Sequence, residues 1–100
     1  MQKRLYRNLK IASLIEHELS LIIAKEIEVP GALITVTDVA VSENLDNTKI
    51  TLSVIPYAKE LEAFTAIEAR RKEIEYKILK KSRLRIIPKF TFIIDSHKEE

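Results

Sequence analysis

Leu33 to Ile55 reads "LITVTDVAVSENLDNTKITLSVI", and this stretch decides the fold. Leu33 to Ser42 is rich in β-branched residues. In it Thr35, Thr37, Val39 and Val41 alternate with Val36, Asp38 and Ala40, the period of two of a strand. Glu43-Asn44-Leu45-Asp46-Asn47 is a polar turn. Lys49 to Ile55 alternates again, with Ile50, Leu52 and Val54 on one face and Thr51 and Ser53 on the other. So short a connection joins antiparallel neighbours, and the stretch is a β-hairpin. Pro56 stops its second strand, because proline has no ladder donor.

Upstream, residues 3–27 read as a long helix. Ile11, Ala12, Ile15, Leu19, Ile22 and Ile23 fall within an arc of about 120° at 3.6 residues per turn, with Ser13, His17 and Ser20 opposite. Val29-Pro30-Gly31 ends it. Downstream, residues 59–82 read as helix, with Phe64, Ile67, Ile74 and Ile78 on one seam. That seam calls for an apolar residue near position 71, where the chain has Arg71. Either the helix kinks there, or Arg71 lays its stem along the core and exposes its head. Ile86 to Asp95 reads as a third strand with Pro88 near its start, where no donor is needed. A helix-containing crossover is most simply a parallel connection, which sets strand three beside strand two. The prediction is an α+β fold, α-β-β-α-(kink)-α-β, with helices on one face of a three-stranded mixed sheet. Residues 1–95 form a single domain and 96–100 a short polar tail.

The chain has 100 residues, 46% hydrophobic and 32% charged, which suits one folded domain and not a disordered segment. It has no cysteine, so disulfides, thiolate catalysis and cysteine-bound metal sites are excluded. The start, Met1-Gln2-Lys3-Arg4-Leu5-Tyr6-Arg7, lacks the uninterrupted apolar run of a signal peptide, and no stretch is long enough to span a membrane. His17 and His97 have no acid–nucleophile companions, so neither a metal site nor a catalytic triad is indicated. Glu60, Glu62 and Glu68 suit the start of the second helix better than acid–base work. Phe64, Phe90 and Phe92 lie on apolar seams and read as core.

The net charge of +2 conceals a segregation. Residues 1–10 carry Lys3, Arg4, Arg7 and Lys10 and no acid. Residues 70–89 hold nine of the seventeen Lys and Arg against Glu73 and Glu75. A charge run is commonly a solvated face. Here few acids interleave, so pairing within the helix does not absorb the charge. The pattern points to a polyanion. The candidate contacts are Lys3, Arg4 and Arg7 on the first helix, and Arg70, Arg71, Lys72, Lys77, Lys80, Lys81, Arg83 and Arg85 on and after the second. Positive charge is unfavourable at a helix N-terminus, so the first group asks for another reason, and phosphate contact supplies one. Tyr6 and Tyr76 read either as half-buried residues or as stacking platforms for bases. The rival reading of the basic patch is an adaptor module that docks an acidic protein.

Two local sequences carry a resemblance. "RLRIIPKFTFIID", Arg83 to Asp95, is similar to a Leu-Arg-x-x-Pro-x-x-x-Phe-x-x-Asp signature through Leu84, Arg85, Pro88, Phe92 and Asp95. "VTDVAVSENLDNTKI", Val36 to Ile50, is similar to a Val-x-Val-Ser-x-x-Leu-x-x-(Ala/Thr)-Lys-Val hairpin through Val39, Val41, Ser42, Leu45, Thr48, Lys49 and Ile50. Together, in order and with the basic start, they resemble the ribosome-binding factor A family of bacterial small-subunit assembly factors. The resemblance implies a type II KH-like fold. It implies binding to the free small (30S) ribosomal subunit and its 16S rRNA during late maturation and 5′-end processing, with a part in cold adaptation. It further implies a cytoplasmic monomer with no enzymatic reaction, cofactor, small-molecule substrate or membrane partner. One departure stands out. Where the family carries an Ala-x-Gly kink in the second helix, this chain has Arg70-Arg71-Lys72. Gly31 is its only glycine, so it has no GxxG loop either. The long C-terminal tail of many members is also missing.

Overall fold

The computed structural model describes residues 3–96, with side chains from Arg7 onward. The elements run α1 (Lys3–Glu26), β1 (Leu33–Val41), β2 (Asn47–Ile55), a single 3-10 turn at Tyr57–Lys59, α2 (Glu60–Ala69), α3 (Arg71–Lys81) and β3 (Lys89–Ile94). This is the predicted α-β-β-α-(kink)-α-β order. The sheet order is β1-β2-β3, with β1 antiparallel and β3 parallel to β2. A mixed sheet with strand three beside strand two is what the crossover argument required.

The stripe of α1 is buried as its spacing predicts: Ile11, Ile15, Leu19, Ile22 and Ile23 lie in the core. The helix ends in a turn closed by Ala32 N–H donating to Val29 O at 3.0 Å. Gly31 there has φ 81°, a conformation that a Cβ would strain. From the sheet, Val36, Ile50, Leu52, Phe90 and Phe92 meet the α1 stripe and Ile67, Ile74 and Ile78 of the later helices. Phe90 and Phe92 touch edge to face at 6.1 Å. Val29, Val54 and Ala63 form a smaller cluster under α2.

Three features of the sheet differ from the sequence reading, the smallest being that β2 begins at Asn47 and not at Lys49. Strict alternation put Val39 and Val41 on the face opposite Val36. The pairing shows Val36 opposite Leu52 but Asp38 opposite Thr51, so Thr37 is an extra residue, a β-bulge. The bulge resets the alternation and turns Ile34, Val36, Val39 and Val41 all toward the core, where each packs. The Thr37 hydroxyl donates to Thr51 O at 3.2 Å and ties the bulge to β2. The third strand begins at Lys89 and not at Ile86. Pro88 is buried but offers no N–H, and Ile86 points into solvent, so ladder pairing starts only after them.

Candidate nucleic-acid interface

The break after α2 sets how α3 is presented. Arg70 lies at φ −109°, ψ 14°. Its N–H reaches back three residues to Ile67 O at 3.0 Å, and Ile74 N–H starts the next helix on Arg70 O at 2.9 Å. The helix therefore kinks at position 70, and Arg71 opens α3. Ile74 and Ile78 are fully buried and seat α3 on the sheet. Truncating either to Ala is expected to cost about 2–5 kcal/mol, readable by denaturant titration.

Acids from outside the helix reach much of the basic run, which corrects the premise that pairing cannot absorb its charge. Glu26, the last residue of α1, accepts from Arg70 Nη2 and from Lys77 Nζ, both at 2.6 Å. Arg70 Nη1 also caps the free carbonyl of Glu26 at 3.0 Å, a favourable place for a cation at a helix C-terminus. Glu73 completes the cluster at 2.7 Å from Arg70 and 3.4 Å from Lys77. Further along the same flank Lys81 lies 3.9 Å from Glu18 of α1. The hydrogen bond from Arg70 holds the Glu73 carboxyl down at about 2, far below its ordinary 4.5. Lys77, then Arg70, lower the Glu26 carboxyl in the same way. In return Glu73 and Glu26 raise the Arg70 guanidinium, and Glu26 raises the Lys77 ammonium. These groups are charged throughout the neutral range.

Arg71 serves the opposite flank. Its Nε donates to Glu68 in the last turn of α2 at 3.0 Å, and its Nη1 to Glu75 at 3.2 Å. Glu75 in turn accepts the Phe90 backbone N–H on β3 at 2.8 Å. The guanidinium thus spans the kink and steadies the carboxylate that satisfies a strand donor. The side chain is only 20% exposed. Of the two sequence alternatives the bend is the one realised; the Arg71 head is not free, because Glu68 and Glu75 hold it. Glu68 sits at the end of α2 and not its start; Glu60 and Glu62 do occupy the first turn.

The remaining cations point away from the core. Lys72, Tyr76 and Lys80 fall on one ridge of α3, opposite Ile74 and Ile78, and all three are exposed. Lys80 Nζ lies 5.5 Å from the centre of the Tyr76 ring. Arg83 and Arg85 are also exposed, in the segment that follows α3. Lys72, Arg83, Arg85 and Arg7 make no ion pair among the described residues. Arg7 is exposed on α1, whereas the side chains of Lys3, Arg4 and Tyr6 lie outside the described residues. The first turns of α1 approach the hairpin, because Asn8 Nδ2 donates to Ser42 O at 3.0 Å. The hairpin also meets the start of β3, where Lys89 N–H donates to Asp46 O at 3.3 Å. Arg7 and the segment after α3 therefore approach the same end of the sheet. The sequence reading missed Lys25, Glu18 and Glu26 of α1, which border α3. No local signal marks them, because their relevance comes only from packing. Among the described residues no group of three or more His, Cys, Asp or Glu can hold a metal ion, and no helix is long and apolar enough to cross a membrane.

Most residues of the quoted motifs prove to be scaffolding, at the hairpin turn and along β3. The Ser42 hydroxyl accepts the N–H groups of Asp46 and Asn47 at 3.1 and 3.0 Å and donates to Asp46 Oδ1 at 2.8 Å, which builds the hairpin turn. Leu45, at φ 64°, turns its side chain back against the core. Leu84 is half-buried, Pro88 and Phe92 are buried, and Asp95 N–H closes β3 on Leu52 O at 2.8 Å. The family model of ribosome-binding factor A matches residues 7–100. The chain belongs to the ribosome-binding factor A family.

Curated members of that family are its relatives at moderate identity. The ribosome-binding factor A of Chlorobaculum parvum is 37% identical over 94 residues, covering 89% of this chain and 77% of the relative. That of Chlorobium phaeobacteroides is 35% identical over 92 residues, covering 89% and 79%. The fold is shared more widely than the sequence. The crystal structure of ribosome-binding factor A from Thermus thermophilus superposes with a TM-score of 0.67 at 14% identity, covering 91% of this chain and 93% of that one. Against this family background the triplet Arg70-Arg71-Lys72 is informative. The break falls at its first residue without glycine, because Arg70 has a negative φ that any L-residue can adopt.

Proposed function

We propose that this chain binds the free small (30S) ribosomal subunit through its 16S rRNA during late maturation and 5′-end processing. It acts by contact and not by catalysis, as a cytoplasmic monomer whose residues 1–95 work as one KH-like unit, and it supports growth in the cold. The observation that carries this is the set of exposed cations Lys72 and Lys80 on α3 and Arg83 and Arg85 after it, none of which pairs with an acid among the described residues, in a chain whose relatives are named for ribosome binding. These and the cations of α1, Lys3, Arg4 and Arg7, face rRNA phosphates. Arg70, Arg71, Lys77 and Lys81 contribute less directly, because their first partners are carboxylates of the protein. Phosphate contacts attract and position without reading sequence. Selectivity then comes from the shape of a folded rRNA junction and its exposed bases.

Co-sedimentation with purified small and large subunits over a salt series tests this reading. Retention on small subunits alone, falling steeply with salt, is expected. Neutralising about five phosphates gives a log K against log salt slope of about −3.5 to −4.5. A flat response, or equal retention on large subunits, overturns it. Flat salt dependence with retained binding would point instead to a protein partner.

A further inference from the structure

Between α1 and α3 runs a groove of about 330 Å³ whose lining includes Leu21, Ile22, Lys25, Tyr76, Lys80 and Lys81. Leu21 and Tyr76 are 41% and 60% exposed, on two different helices, and the packing of the core uses neither. An apolar floor lies beside an open aromatic ring, and the four lysines of the lining outnumber its two acids, Glu18 and Glu26. We propose that this groove takes one unpaired RNA base, stacked on the Tyr76 ring, with Lys25 and Lys80 on its flanking phosphates. The proposal rests on the RNA reading above and deepens it: the ligand is single-stranded RNA and not a duplex.

The chemistry favours this occupant over the alternatives. A base inside a helix shows only its edges, whereas stacking on a side chain requires a free face, which single strands and loops provide. Lys80 Nζ already sits 5.5 Å from the ring centroid. That is a cation–π contact a flexible side chain can exchange for a phosphate as the base takes its place. An acidic peptide fits less well, because its carboxylates offer the open Tyr76 ring no planar face to stack on. The volume is at the small end for ligand sites, suited to one base and not to a longer apolar segment.

Anisotropy titrations with a labelled single-stranded RNA octamer and with a short RNA duplex test the idea on the full chain. The unmodified protein is compared with Tyr76→Ala, Tyr76→Phe, Lys25→Ala and the double variant Lys72→Glu/Arg83→Glu. Tyr76 is exposed, so its variants should keep the unmodified melting temperature. Tyr76→Ala should weaken the single strand about 5- to 100-fold, leave the duplex unchanged, and be rescued by Tyr76→Phe. Lys25→Ala should flatten the single-strand salt slope by roughly 0.7. Equal affinity of Tyr76→Ala and the unmodified protein for the octamer overturns the proposal, as does an equal loss on the duplex. If the Lys72/Arg83 reversal abolishes binding while Tyr76→Ala does not, the RNA reading stands and base stacking falls. If neither changes binding to RNA or to small subunits, both fall.

Discussion

The two sides of α3 hold the same residue types for different ends. On the side facing α1, Arg70, Lys77 and Lys81 meet Glu26, Glu73 and Glu18. On the outward ridge, Lys72, Lys80 and the following Arg83 meet none. Carboxylates of the helix that packs beside α3 reach Lys77 and Lys81, in addition to the local partner Glu73 of Lys77, and none reaches Lys72 or Lys80. The paired side gives up binding capacity and fastens the kinked helix to α1. The ridge keeps its charge because the fold brings no carboxylate to it. One helix thus carries a fastening and an unpaired cationic surface about a third of a turn apart.

The comparison can be broken most sharply by charge reversal. Lys72, Lys80 and Arg83 changed together to Glu should weaken small-subunit binding on the order of 100-fold or more at 0.15 M salt, with the melting temperature nearly unmoved. Sedimentation and calorimetry on the same sample would read both. A large fall in melting temperature would mean the ridge also serves the fold. The next largest effect belongs to Glu75→Ala. It strips the Phe90 N–H of its partner and should cost about 1–3 kcal/mol, several degrees in melting temperature, with subunit binding retained.

Arg71→Leu sharpens the comparison further. An apolar residue continues the buried seam, yet it leaves Glu68 and Glu75 without their cation. Stability should fall by less than in Glu75→Ala, and subunit affinity should stay within about twofold. Higher stability together with weaker binding would return Arg71 to the ligand surface. The smallest effect is on acid sensitivity. Glu73 titrates at about 2 in the folded protein against an ordinary 4.5. A depressed carboxylate stabilises the fold above its ordinary value, and that contribution is lost as pH falls from about 4.5 toward about 2. Glu73→Gln should therefore flatten the decline of melting temperature across that window and change little at pH 7. An unchanged slope would mean the cluster at the end of α1 carries no net stability.

Legibility followed the range of the interaction. The stripe of α1, the hairpin and the seam of α2 and α3 could be read because each shows as a local period. Ser42 and Leu45 stood out as motif residues, although their work in the turn could be seen only in three dimensions. The bulge at Thr37 was invisible, since β-branched residues on both sides conceal the change of phase. The start of β3 was placed too early because Ile86 and Ile87 have strand-like side chains, while pairing depends on the donor that Pro88 lacks. The i,i+4 pair of Glu73 and Lys77 is legible from spacing, but the ion pairs to α1 were beyond reach for a plain reason: Glu26 is 44 residues from Arg70 and 51 from Lys77. So was the groove holding Tyr76, whose other wall comes from α1. Tyr76 itself was visible as an aromatic among lysines, but its exposure was not.

The extra residue in β1 has a consequence for how copies of the chain treat one another. β1 is an outer strand of the sheet. Without Thr37 its sequence would alternate without interruption, with Ile34, Val36, Val39 and Val41 on one face. It would then present a straight row of free amides and carbonyls to any neighbour. A bulge twists such a row out of register with a second molecule. Deleting Thr37 should therefore leave the core pattern intact yet promote strand-to-strand association, seen as concentration-dependent growth in light scattering. Thr37 holds no place in the core and none on the basic ridge. Beyond its hydroxyl tie to β2, its expected contribution is felt when two molecules meet.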